Sequence, residues 1–241
     1  MVPAPVHSKV TAMMQRPVGR RVVIVGAGGH GRDTLDVFQA CNVAAPGSWD
    51  VLGFISEVEG EHGRTVAGAP VLGGWTWFER QDRAAWPLVA CAVGDPAVRL
   101  RLVARATELG LSFASVVHPA AVVPPNAVVG IGTLISAGVM TTSSMRLGAH
   151  VILNLGCTVA HDAVLGDFVT LAPGVHVSGH VQIGAGCDLG TGAVVLPKVR
   201  IGARSIVGAG AVVTRDLPAD VTAVGVPARV IKQRASDADG R

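Results

Sequence analysis

Leu147-Gly148, Leu165-Gly166, Ile183-Gly184 and Ile201-Gly202 recur every 18 residues and set the register of the C-terminal half of the chain. Outward from these pairs, every sixth residue from Val117 to Val213 is aliphatic at 16 of 17 positions, and only Thr141 breaks the series. Glycine follows the aliphatic residue seven times, at Gly130, Gly148, Gly166, Gly184, Gly190, Gly202 and Gly208. Four places after the aliphatic residue the side chain is usually small or β-branched, as at Ala121, Ala127, Cys157, Ala163, Cys187, Ala193, Ser205 and Ala211. A period of six is neither helical nor plain strand alternation. It fits a triangular coil of three short strands. The aliphatic and the small residue point inward, and the residues between them make the corner. Coils then stack about 4.8 Å apart, and residues 117–216 make roughly five and a half of them. Residues 113–232 are therefore expected to form an all-β, left-handed parallel β-helix.

The preceding part follows a different pattern. Arg21-Val22-Val23-Ile24-Val25 reads as a buried parallel strand. It runs into Gly26-Ala27-Gly28-Gly29-His30-Gly31 and then a helical stretch from Arg32 to Phe38. Strand, glycine turn and helix is the context in which such glycines bind phosphate, because the backbone can approach the ligand and the helix N-terminus offers free N–H groups. A turn that only packs strand against helix is the other reading. Gly28, Gly29, His30 and Gly31 are the candidate contacts, although His30 could equally be a turn residue. A second strand, Asp50–Ile55, leads to Ser56-Glu57, where Glu57 could hold a ribose hydroxyl or a base edge. Val71-Leu72-Gly73-Gly74 with Trp75–Arg83 reads as a loop and a short helix. Leu88–Asp95 reads as a strand ending in a glycine turn. Ala97–Gly110 has helical periodicity through Val98, Leu102, Ala106 and Leu109. Residues 21–112 thus make a Rossmann-like α/β domain of three or four strands, too short for a full dinucleotide fold. Residues 1–20 and 233–241 are expected to be a flexible extension and tail.

Composition bounds the function. The 241 residues are 49% hydrophobic and 15% charged, which excludes a disordered chain. A net charge of +3 with scattered basic residues does not argue for nucleic acid. No run of about 18 apolar residues exists, so no membrane span is expected, and residues 1–20 lack the apolar core of a signal peptide. Cys41, Cys91, Cys157 and Cys187 show no CxxC spacing and read as thiols of a reducing, cytoplasmic compartment.

The hexad series, the Gly26–Gly31 turn, Ala160-His161-Asp162 and the closing Val224-Gly225-Val226-Pro227-Ala228-Arg229 resemble the NeuD/PglD/PerB-type sugar acyltransferases over about residues 21–232. The resemblance implies a homotrimer that uses acetyl-CoA, with active sites between neighbouring β-helices. It also implies nucleotide-activated amino sugars or sialic acids as acceptors. The flat apolar sides of the β-helix favour the same self-association.

His161 falls at a hexad corner, two places after Val159 and two before Ala163, so its side chain can face outward and act as general base. Asp162 is the candidate that orients it, provided the corner bends, since neighbours in a strand face opposite ways. Gly179 lies one coil on. It leaves room for a thioester, and the resemblance gives its N–H to the oxyanion. The resemblance also points to Asn154 at the acceptor, to Thr170 where some members carry histidine, and to Thr191 and Ala209 for coenzyme A. Ser56-Glu57 replaces an acidic pair common in the family, which leaves uracil or guanine open. No metal is expected: His176 and His180 lie 15 and 19 residues after His161, and only a spacing near 18 stacks residues on adjacent coils. Cys157 sits at a packing position, so direct attack is expected rather than a covalent intermediate. The expected activity is N-acetylation of a nucleotide-linked amino-deoxy sugar. O-acetylation of a sialic acid-type sugar, or a non-catalytic trimeric nucleotide-sugar-binding protein, are the alternatives.

Overall fold

The computed structural model describes residues 19–233. The extension and tail expected at residues 1–20 and 233–241 lie almost wholly outside them. At the two boundaries, Arg20 already opens the first strand and Gln233 closes the last.

β1 (Arg20–Val25) pairs in parallel with β2 (Trp49–Ile55). β3 (Thr65–Val66) and β4 (Ala69–Gly73) follow in the chain, and β5 (Leu88–Cys91) pairs in parallel with the other side of β1. The five strands form one sheet in the order β3-β4-β2-β1-β5. Val22 to Val25 are buried, as a central parallel strand covered on both faces requires. Here the sequence-based expectation is corrected: Val71-Leu72-Gly73 belongs to β4, not to a loop, and buried Val71 pairs with Phe54. Its antiparallel partner β3 has only two residues, too short to show a period.

Among the described residues three α-helices accompany the sheet, at Gly29–Ala44, Thr76–Glu79 and Pro96–Glu108. Asp95 caps the last by accepting from the Val98 N–H at 2.9 Å, and Pro96 fills the first helical position. Of the stripe expected from the sequence, Ala106 is fully buried and Val98, Leu102 and Leu109 are half-buried, while Arg99 and Val103 are buried beside them. An arginine counts as polar in any periodicity, so the sequence pattern does not show its burial.

From Val116 onward the chain coils as a parallel β-helix. Two-residue strands pair with those 18 residues away, as Leu147 does with Val129 on one side and Leu165 on the other. Three such sheets form the sides of a prism. The interior is a column of aliphatic residues, among them Leu153, Val159, Leu171, Val177, Leu189 and Val195, all fully or nearly fully buried. Each contributes about 1.5–3 kcal/mol of burial. Thr141, the exception in the series, is also buried, and its hydroxyl donates to the Val122 carbonyl at 3.1 Å. The last coil is two residues shorter: Ile206 pairs with Thr222 rather than with residue 224.

One side of the prism carries the N-terminal domain. Its outward residues Val116, Leu134 and Ile152 share a buried cluster with Leu35, Phe38 and Trp49. Arg99 locks the junction. Fully buried, it donates to the carbonyls of Val93 (2.6 Å) and Gly94 (2.9 Å) in its own domain, and of His150 (3.0 Å) and Phe168 (2.7 Å) on the β-helix. Burial pulls its pKa down to about 10, which still leaves the guanidinium charged at neutral pH.

Candidate active site

From Gly132 to Gly210 each hexad turns at a two-residue corner whose second residue has left-handed backbone. Along one edge of the prism these residues are Ser144, Asp162, His180 and Lys198, with φ of 61°, 59°, 59° and 67°. Aspartate visits this region more readily than most side chains. The left-handed turn brings the Asp162 carboxylate alongside His161, which an extended strand would send to the other face. Its Oδ2 accepts a hydrogen bond from His161 Nδ1 at 2.9 Å. Both groups remain open to solvent, with side chains 55% and 45% exposed. A carboxylate on Nδ1 fixes the tautomer that leaves a lone pair on Nε2.

The Nε2 edge of that ring lies against Gly179, where a Cβ would stand 2.7 Å from both Nε2 and Cε1. Any larger residue would displace the imidazole. Gly179 is buried, and its amide donates to no acceptor among the described residues. A free amide donor beside an imidazole lone pair can serve a reaction that develops an oxyanion while losing a proton.

His180 was not among the residues expected here, yet it joins the cluster. Its ring meets that of His161 edge to face, with centroids 5.1 Å apart, and its Nε2 is 3.7 Å from Asp162 Oδ2. The available signal was its separation from Asp162, one full coil of 18 residues, rather than its 19 from His161. His176 points elsewhere, with Nδ1 2.9 Å from Thr158 Oγ1 on an adjoining side. Cys157 is buried, its thiol lies 3.1 Å from the Ala172 carbonyl, and burial pushes its pKa up to about 11. A protonated, enclosed thiol is no nucleophile.

In the glycine turn, Gly28 and Gly29 are exposed and nothing stands within 4 Å of where their side chains would be. Gly31 is different: a Cβ would lie 2.0 Å from the Gly26 carbonyl oxygen, so it packs helix on strand. His30 is half-buried against Gly94, and burial lowers its pKa, an effect Asp33 opposes and Arg99 reinforces. Ser56 is spent inside its own loop, donating to Glu61 Oε2 at 2.5 Å and accepting from the Val58 N–H. Glu57 is exposed, with one carboxylate oxygen accepting from the Trp75 N–H at 3.0 Å. Thr170 is buried at the domain junction, where its hydroxyl donates to the Gly94 carbonyl at 2.7 Å. Asn154 is buried near it, one coil earlier. Thr191 and Ala209 stack on a second edge of the prism, exposed, with amides that donate to no acceptor among the described residues.

These residues do not converge within one chain. The N-terminal domain sits on the side formed by the strands at Ile152, Thr170 and Asp188, and the His161 edge lies opposite that side. Thr191 and Ala209 occupy a different edge from His161.

The coil of hexads and the His–Asp pair at its corner define a hexapeptide-repeat transferase. The family model described as the PglD N-terminal domain matches residues 21–106. The model for the bacterial transferase hexapeptide (six repeats) matches residues 162–196 and 180–215. No curated protein matches the chain by sequence. Among solved structures, perosamine N-acetyltransferase from Caulobacter crescentus, in complex with CoA and GDP-perosamine, is 36% identical with a TM-score of 0.81. That alignment covers 88% of this chain and 96% of the other. The acetyltransferase domain of PglB from Neisseria gonorrhoeae is 32% identical over 88% of this chain and 100% of that one, with a TM-score of 0.79. WeeI from Acinetobacter baumannii gives the same four values, 32%, 88%, 100% and 0.79. The chain belongs to the NeuD/PglD/PerB-type sugar acyltransferases.

Proposed function

We propose that the protein is an acetyl-CoA-dependent N-acetyltransferase whose acceptor is the amine of a nucleotide-linked amino-deoxy sugar. The observation that carries this reading is the His161 ring, oriented by Asp162 and lying against the free amide of Gly179. The neutral amine attacks the thioester carbonyl carbon while His161 Nε2 takes its proton. The Asp162 carboxylate stabilises the imidazolium, and the Gly179 N–H holds the oxyanion. The tetrahedral intermediate then expels the CoA thiolate, which takes the proton from His161. A base so placed contributes about 10²–10⁴-fold. The acceptor's diphosphate sits at the Gly28-Gly29 turn with His30, and CoA lies along the edge of Thr191 and Ala209. Forms of the Caulobacter relative with a histidine replaced by asparagine or alanine hold CoA and GDP-perosamine together, which supports a histidine in chemistry rather than in binding.

The same geometry supports a homo-oligomer, which we propose to be a trimer. The glycine turn, the Thr191 edge and the His161 edge face different ways in one chain, so a substrate pair touching all three needs a neighbouring copy. Both proposed substrates are polyanions that do not cross a bilayer, and a reaction in the cytoplasm, where acetyl-CoA is made, is part of this proposal. Among the described residues no helix is long and apolar enough to cross a membrane.

The test is acetyl transfer to UDP- and GDP-linked amino sugars and to sialic acid, with the product treated with hydroxylamine. An acetyl group that survives is on nitrogen, as proposed. One that is cleaved is an ester and makes the protein an O-acetyltransferase. No transfer to any of them refutes the enzyme reading.

A further inference from the structure

We propose that His161, Asp162 and His180 form a binding site for a divalent transition-metal ion, and that zinc held there switches the base off. The second half rests on the function proposed above; the first does not. One donor atom from each of the three residues lies within 4.8 Å of the other two. Asp162 Oδ2 is the common vertex, 2.9 Å from His161 Nδ1 and 3.7 Å from His180 Nε2. Zinc bonds of about 2.0–2.1 Å in tetrahedral geometry put neighbouring ligand atoms about 3.3–3.4 Å apart. The two separations straddle that value, so small side-chain rotations close the site without moving backbone.

The backbone is already fixed. The Asp162 N–H donates to the Ser143 carbonyl at 3.2 Å, and the His180 N–H donates to the His161 carbonyl at 3.0 Å. All three side chains are about half exposed, which leaves an entry path and an open fourth position for water. Two imidazoles and one carboxylate suit zinc, nickel or cobalt rather than magnesium or calcium.

The consequence for chemistry follows from proton bookkeeping on His161. Without metal, Nδ1–H donates to Asp162 and Nε2 carries the lone pair. To bind zinc, Nδ1 must offer its own lone pair, so the neutral ring keeps its one proton on Nε2. The proton count is unchanged, but Nε2 becomes a donor and cannot accept the acceptor's proton. Zinc therefore inhibits through the tautomer, without covering the CoA edge at Thr191.

The experiment is calorimetric titration of the assembled, full-length protein with zinc, and with magnesium as control, in the absence of substrates. Wild-type protein should take up zinc at one site per chain and ignore magnesium. His180→Asn keeps a residue that tolerates left-handed backbone and removes one ligand. It should weaken zinc binding by at least about 100-fold, more than the loss of an outer-sphere partner costs. Whatever its own zinc-free rate, its acetyl transfer should be insensitive to zinc. No zinc binding by the wild type, or equal binding by His180→Asn, overturns the site. Binding without loss of turnover overturns the switch. Binding that follows the three ligands in a protein that acetylates nothing leaves the metal site standing and removes the transferase reading instead.

Discussion

His150 and His161 occupy corners of the same hexad series, on two different edges of the prism, and their surroundings are opposite. His150 takes the second corner position, with φ of 56°, beneath the N-terminal domain. Its ring stacks on Phe168 with centroids 5.2 Å apart and meets the edge of Phe113 at 4.6 Å. Burial, reinforced by the nearby Arg99, pulls its pKa down to about 4, so it stays neutral and serves packing. His161 takes the first corner position on the uncovered edge, half exposed, with a carboxylate on one nitrogen and a bare glycine beneath the other. The repeat gives both histidines an outward direction. What covers the corner decides whether that direction leads to a core or to chemistry.

The sharpest way to break this contrast is to exchange the losses. His161→Ala should lower kcat by about 10²–10⁴-fold with CoA affinity and melting temperature unchanged, read by steady-state kinetics and calorimetry. Arg99→Met removes the donor to carbonyls on both sides of the junction. It should cost about 3 kcal/mol in denaturant unfolding, with turnover of the folded fraction retained. Gly179→Ala places a methyl where the His161 ring lies. Kinetics should show kcat down about 100-fold, the scale of a 1 Å misplacement, with little change in stability. Asp162→Asn keeps the left-handed turn and loses the charge on Nδ1. About a tenfold fall in kcat is expected, as for loss of a supporting carboxylate.

The smallest effect concerns His150. Its folded pKa lies below the ordinary value of 6.5. Its neutral burial therefore contributes full stability above that pH. That stability is lost as pH falls from 6.5 toward about 4, because only the unfolded chain takes up the proton. The slope is at most about 1.4 kcal/mol per pH unit. His150→Asn, which suits the backbone, should flatten this part of the melting-temperature profile and leave turnover alone.

The β-helix was legible because its signal is local and strictly periodic. One register fixed the interior column, the corners and the placement of Gly179 one coil from His161. The contact between His161 and Asp162 was legible only as a condition, since it needed the left-handed turn at Asp162. Arg99 escaped because its β-helix partners His150 and Phe168 are 51 and 69 residues away in sequence and belong to another domain. No period within one element reports such a contact. β4 escaped because a short strand with a two-residue partner carries no pattern of its own. His180 escaped despite a plain signal, its one-coil separation from Asp162.

His161 acting at the uncovered corner is the central claim, and a crystal structure of the assembled protein with CoA and the nucleotide-linked amino sugar tests it most directly. The acceptor nitrogen should lie about 2.6–3.2 Å from His161 Nε2, with the Gly179 N–H about 2.7–3.1 Å from the place of the thioester oxygen. An acceptor amine seated at another edge, with His161 Nε2 facing only solvent, would contradict it.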